Sequence, residues 1–216
     1  DRAGYKKKLN IANFGTSFEQ REDLYFSPSF SLKFETLETS STASTLLKKQ
    51  EGDYYDLVFN YGLYYDKRNQ TFSPTDGYSS NFRQELPLYS NNYSIKNSYD
   101  YKVYNQFADD WIGSASFFIK TVNSLGSEDV RVSERIVLPA RKLRGFASGK
   151  IGPKDKNEFI GGNYASSLNF SLSLPTLLPE LENFDFNLFA DAANVWGIDY
   201  DSKLDDSGSI RSSTGL

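Results

Sequence analysis

Cysteine, histidine and methionine are absent from the chain. Without thiol or imidazole there is no disulfide framework, and the usual zinc ligands, nucleophile–base pairs and general base near neutral pH are excluded together. Any chemistry would rest on carboxylates, Lys, Ser or Tyr. Long hydrophobic runs are missing as well: no segment approaches the ~18–20 apolar residues that a membrane-crossing helix needs. Nor does one sign of charge dominate. With 24 basic and 28 acidic residues the net charge is −4, so no global field draws the chain to nucleic acid or an anionic surface. The opening DRAGYKKKLN carries no initiator Met and no signal-peptide pattern, and the chain reads as an internal piece of a longer protein.

What is present is aromatic. Only 38% of the residues are hydrophobic while 16% are Phe, Tyr or Trp, an unusual balance for a soluble core, which leans on aliphatic side chains. These residues alternate with polar ones. From Leu24 one parity reads Leu24, Phe26, Pro28, Phe30, Leu32, Phe34 and the other Tyr25, Ser27, Ser29, Ser31, Lys33, Glu35. The period of two recurs at 55–65, 93–107 and 164–174, more weakly at 78–88, 111–122 and 184–196, with poorer matches at 9–20 and 210–216. Nine strands and no convincing helix are expected.

Strand length separates the all-β classes. Soluble sandwiches use strands of about 5–6 residues. Most of these segments run to roughly 10–14, the span a tilted strand needs to cross a bilayer, although a soluble protein with a long twisted sheet shares the alternation. In a membrane barrel Phe26, Phe30, Leu32, Phe34, Leu57, Phe59, Leu63, Leu168, Phe170 and Leu172 face lipid, and Ser29, Ser31, Lys33, Asp56, Asn60, Asn169 and Ser171 line a wet interior. That division accommodates a mean hydropathy of −0.54. Tyr54, Tyr55, Tyr64, Tyr65, Trp111 and Trp196 are placed for interfacial girdles. Short connections at 20–23 and 108–110 alternate with long ones at 40–53 and 123–160, which assigns the former to the periplasmic side and the latter to the outside.

The segment RKLRGFASGKIGPKDKNEFIGGNY at 141–164 breaks the alternation. Its glycines, with Arg141, Arg144 and Lys150, admit a phosphate-binding reading. A second reading competes. Leu143-Arg144-Gly145-Phe146, followed by IGPK at 151–154 and GGN at 161–163, resembles the long-loop motif of the BamA family of outer-membrane assembly factors. Further resemblances come in the same order. DKRNQTFSPTDG at 66–77 is similar to a periplasmic turn of that family through Asp66, Arg68, Phe72, Pro74 and Gly77. SLNFSLSLP at 167–175, FADAANVWG at 189–197 and IRSSTGL at 210–216 resemble its following strands. The resemblance covers at least 53–216, and 1–52 fit two preceding strands.

The resemblance implies an all-β fold, a transmembrane antiparallel β-barrel present as a partial wall of about nine strands from a larger barrel of about 16. It makes 1–216 one partial outer-membrane barrel domain, with a loop at about 123–160 that enters the lumen. In the family that loop carries its motif Arg to acidic side chains on the inner wall. By position, Arg144 would meet Asp191, with Asn169 standing where many relatives carry a second acid. Parity agrees independently, since Asp191 lies opposite the outward Phe184, Phe186 and Leu188. The implied function is the folding and insertion of β-barrel clients into a Gram-negative outer membrane. Its partners would be the lipid bilayer, unfolded β-barrel clients and assembly-complex lipoproteins, with no nucleic acid. Two-partner secretion pores share the loop and are the alternative; a passive porin predicts a charged constriction instead. Nine consecutive strands would leave two unpaired edges, and the seam strands would lie outside this chain.

No constellation points to an enzyme. Glu35 with Glu38, and Asp109 with Asp110, are paired carboxylates lacking a second catalytic element. The acidic run DYDSKLDD at 199–206 lacks the Gly and terminal Glu of an EF-hand loop and reads as a solvated loop. No metal and no cofactor are expected.

Overall fold

The computed structural model describes residues 4–155, 158–174, 186–199, 202–204 and 209–216. Nearly all the regular structure is one antiparallel sheet. Its strands are β1 (Tyr5–Gly15), β2 (Phe18–Arg21), β3 (Leu24–Thr39), β4 (Gly52–Asp66), β5 (Gly77–Ser90), β6 (Ser94–Ala108), β7 (Trp111–Ser124), β10 (Tyr164–Ser173), β11 (Asn187–Trp196) and β12 (Arg211–Gly215). Strands β8 (Lys154–Asp155) and β9 (Glu158–Phe159) form a small separate hairpin. Sheet order follows chain order from β1 to β12, with β2 beside β3, and among the described residues β1 and β12 do not pair. The nine expected strands are present, the first broken at Thr16–Ser17 into β1 and β2. That first strand begins earlier than the alternation suggested. Lys6, Lys7 and Lys8 already belong to it and pair with Glu38, Leu37 and Thr36. One short helix, α1 (Thr45–Lys48), capped by the Ser44 hydroxyl, was not foreseen. Phe184 and Asp185 lie outside the described residues.

The sheet is inside-out relative to a soluble protein. Phe30, Leu32, Phe34, Leu63, Leu168 and Phe170 are exposed, whereas Ser31, Asp56, Asn169 and Asp191 are buried. Cross-strand aromatic pairs such as Phe30–Phe59 and Phe34–Tyr55 stiffen the outer surface. Its few polar groups bond one another: the Tyr61 hydroxyl donates to Gln84, whose amide donates to Asn97, whose amide donates to Thr121. In lipid such groups must be satisfied internally, and this ladder does so. The fold is that of a transmembrane antiparallel β-barrel, here a partial wall.

The inner face departs from the expected wet surface. Residues 125–163 connect β7 to β10, and the described ones pack against it, burying Val130, Ile136, Leu138, Leu143 and Ile151 on Phe118, Val122, Ala165, Ala193 and Val195 of the wall. A second cluster joins Val132 and Ile160 to Tyr5, Leu37, Ala43 and Leu47. Alternation marked which residues face inward; it could not show that apolar ones among them wait for a loop distant in sequence. Each fully buried aliphatic side chain contributes about 1.5–3 kcal/mol. Apolar burial therefore holds the loop in place more strongly than any single polar contact.

A charge on the two faces should be felt differently. Phe30→Lys should destabilise the folded barrel by about 2–4 kcal/mol at mid-bilayer depth, and Ser29→Lys far less. Ser31 is unsuited to the comparison because it already accepts a bond from Asn60 at 2.7 Å. Urea titration of the barrel in lipid vesicles reads the difference; equal losses would contradict the facing.

Candidate functional site

Register places the site. Pairing runs Asp66–Ser79–Lys102–Ser116–Asn169–Asp191–Ser213, a continuous inward-facing row across β4, β5, β6, β7, β10, β11 and β12. Asp191 is 3% exposed, so its charge has almost no water to lean on. A tight 3-10 turn at Ala140–Lys142 brings the loop down to it. Arg144 Nε and Nη2 donate to the two carboxylate oxygens at 2.8 and 2.6 Å, and the Arg144 backbone N–H donates to Oδ2 at 2.9 Å. This is the bidentate fork that a lysine cannot form. The remaining guanidinium donors reach Ser171 Oγ at 3.0 Å and the Phe170 carbonyl at 3.1 Å, and the group lies 4.1 Å over the Phe189 ring. Gly145 follows at φ +82°, a conformation that an L side chain rarely adopts, and Phe146 packs against the main apolar cluster.

Asn169 acts differently from the reading by position. Its oxygen accepts not from the guanidinium but from Ser167 at 3.2 Å, while its amide donates to the Lys142 carbonyl at 2.9 Å. An amide brings no charge, and Asp191 with Ser171 and the Phe170 carbonyl already occupies the fork. Lys150 points elsewhere, 5.9 Å over Phe159, so Arg144 and Lys150 do not converge on a phosphate cradle.

Sequence reasoning missed a second set of anchors. Arg131, 2% exposed, donates to Asp56 at 2.6 Å and stacks 4.4 Å from the Tyr54 ring. Glu134 pairs with Lys96, which also approaches Glu85 at 3.6 Å, and Glu85 pairs with Lys33 at 2.9 Å. Further along, Asp199 accepts from Arg135 at 2.5 Å and from the Val130 backbone at 2.7 Å. Asp199 of the acidic run is thus engaged by the loop; Asp201, Asp205 and Asp206 lie outside the described residues, and no metal-holding cluster occurs among those described. The inward parity of Lys33 and Asp56 was the available signal. The loop half of each pair, in VRVSER at 130–135, carried none.

At the other end of β4 the turn residues form a self-contained clasp. Arg68 Nε and Nη2 donate to Asp66 at 2.8 and 2.7 Å, and Tyr64 donates to the same carboxylate at 2.7 Å. Gly77, at φ +93°, closes the turn where an added Cβ would lie 2.1 Å from the Lys67 carbonyl. Pro74 is half-buried and Phe72 stands out at 87% exposure.

A membrane-barrel wall whose longest loop folds back on the inner face and grips it through an Arg–Asp fork and further ion pairs defines a class of plugged β-barrels. The chain belongs to the Omp85 superfamily: residues 3–216 match the Omp85 superfamily domain. The crystal structure of BamA from Haemophilus ducreyi lacking POTRA domains 1–3 superposes with a TM-score of 0.85 at 22% identity, covering 98% of this chain and 48% of that one. A SAM50-like protein of Schizosaccharomyces pombe is 35% identical over 86 residues, 38% of this chain and 18% of its own length. The chain thus spans about half of the BamA chain and less than a fifth of the SAM50-like protein.

Exposure makes the fork asymmetric. Asp191's side chain is fully enclosed while that of Arg144 is 32% exposed. Removing the arginine strands a buried carboxylate, whereas removing the aspartate leaves a guanidinium that water can reach. Arg144→Ala should therefore cost about 3–5 kcal/mol of loop docking, Asp191→Ala clearly less, and the double variant no more than Arg144→Ala. Arg144→Lys should resemble Arg144→Ala more than wild type. Hydrogen exchange across 130–163 measures all four; additive losses would contradict the coupling.

The second anchor adds a pH dependence. Burial alone would raise the Glu134 carboxyl, but Lys96, Arg131 and Lys33 hold it down at about 2, against an ordinary 4.5. A lowered folded-state value stabilises the docked loop fully above pH 4.5, and the contribution is lost as pH falls toward 2. Loop protection should fall over that interval, and Glu134→Gln should flatten the profile.

Proposed function

We propose that this chain is the barrel portion of a BamA-like factor that folds and inserts β-barrel proteins into the outer membrane of a Gram-negative bacterium, by a physical rather than an enzymatic route. The observation that carries the reading is the loop docked on the inner wall through Arg144 and Asp191. It sits within a wall that follows the BamA barrel over 98% of this chain. A conducting porin is disfavoured, because the apolar side chains of the loop pack across the inner face. The exposed outer surface of Phe and Leu fits the bilayer as one partner. Unfolded β-barrel clients and assembly-complex lipoproteins are the other proposed partners. The client would be received by strand addition, in which backbone hydrogen bonds supply affinity irrespective of client sequence.

The alternative within the superfamily is a two-partner secretion pore, which moves a passenger outward. The alternative location is a mitochondrial outer membrane, which the similarity to the SAM50-like protein supports. The full-length protein in lipid vesicles should accelerate the folding of an unfolded outer-membrane client, read by gel mobility with and without heating. Arg144→Ala should reduce that acceleration about tenfold or more, consistent with a loss above 1.4 kcal/mol. Passenger export without faster client folding would replace the assembly reading by the secretion one.

A further inference from the structure

Beneath the loop tip, the inner wall and the loop border an open cleft of about 400 Å³ whose lining includes Lys102, Ser114, Ser116, Arg141, Lys142 and Arg144, with Lys102 and Arg141 exposed in it. Its charges do not balance. Lys142 is matched by Asp100 and Arg144 by Asp191. Lys102 and Arg141 have no carboxylate partner among the described residues, and Lys102 only lies 4.7 Å over the Tyr104 ring. Ser114 likewise bonds no side chain among those described, and the Ser116 hydroxyl spends itself weakly on Asn169 at 3.4 Å. The lining groups with spare capacity are therefore an ammonium, a guanidinium and hydroxyls. A cavity with surplus hydrogen-bond donors and surplus positive charge is complementary to an anion.

Position narrows the anion to one carried on a chain. Lys102 and Ser116 face each other across β6 and β7, and Tyr104 faces Ser114 two pairs nearer the short turn at Asp109–Asp110. At about 3.4 Å per residue, Ser114 and Ser116 lie roughly 10–20 Å from that turn, in the half of the wall nearest the short-turn, periplasmic mouth. The apolar packing of the loop fills the opposite half. Access therefore comes from the periplasmic side, and 400 Å³ accommodates two or three side chains. We infer that this pocket is a binding site for a carboxylate-bearing, acidic peptide segment entering the lumen from the periplasmic mouth, held by Lys102 and Arg141. The inference rests on the barrel and its orientation, not on the assembly activity.

The test uses the full-length protein in detergent micelles and a fluorescently labelled peptide of three consecutive aspartates flanked by glycines, with its asparagine counterpart as control. Saturable binding of the acidic peptide, weakened about tenfold by Lys102→Gln with Arg141→Gln and by raised salt, is the expected result. Lys102→Arg should retain binding. Lys102→Glu with Arg141→Glu should exchange the preference for that of a three-lysine peptide. Heat-modifiable gel mobility verifies that each variant is folded. Equal affinity for the asparagine control, or binding indifferent to both cations in folded variants, overturns the inference. Displacement by inorganic phosphate as effective as by unlabelled peptide would mean a small-anion site and overturns the peptide assignment. Client folding measured on the same variants keeps the two proposals separable: loss of peptide binding with client folding intact bears on the pocket alone.

Discussion

A carboxylate with almost no access to water stands on the inner wall at Asp191, and the position of the long loop follows from it. An isolated buried charge costs several kcal/mol, and a fork of two N–H donors with a third from the backbone is the arrangement that offsets it. Arg144 supplies all three. Because the guanidinium is planar and the carboxylate is held in a strand, this contact tolerates little displacement. The loop backbone at 142–145 is thereby set against β10 and β11, with the Asn169 amide holding the Lys142 carbonyl beside it.

Apolar burial and ion pairing divide the work. Val130, Ile136, Leu138, Leu143 and Ile151 provide most of the attraction, but hydrophobic contact is non-directional and would accept a loop shifted along the wall. The buried pair Arg131–Asp56 and the partly buried pairs Glu134–Lys96 and Arg135–Asp199 exclude such shifts, since any slip would leave charges unpaired. Three anchoring regions far apart in sequence therefore define one docked state. The charge left over near the tip, on Lys102 and Arg141, takes no part in docking and stays available.

The same partition governs the outer face. In water the exposed Phe and Leu side chains would drive aggregation; in lipid they are the solvated surface. The hydrogen-bonded row from Tyr61 through Thr121 shows the complementary rule, by which polar atoms facing lipid bond their neighbours across the strands.

Much of this was written in local pattern. Side chains alternate with a period of two along a strand, so the parity of Phe30 against Ser31, or of Leu168 against Asn169, already decided which atoms meet lipid and which meet the lumen. Strand length carried the membrane assignment in the same way, and the family resemblance borne by the short landmarks implied Arg144 and Asp191 as partners, with parity turning Asp191 inward. Tertiary structure alone decided what fills the lumen. Nothing near Val122 or Val195 announces that residues 125–163 will bury them, and nothing near Arg131 announces Asp56, 75 positions away. Local sequence records the preferences of a strand for its two faces, whereas a loop's docking depends on the three-dimensional distance between groups that the chain order does not contain.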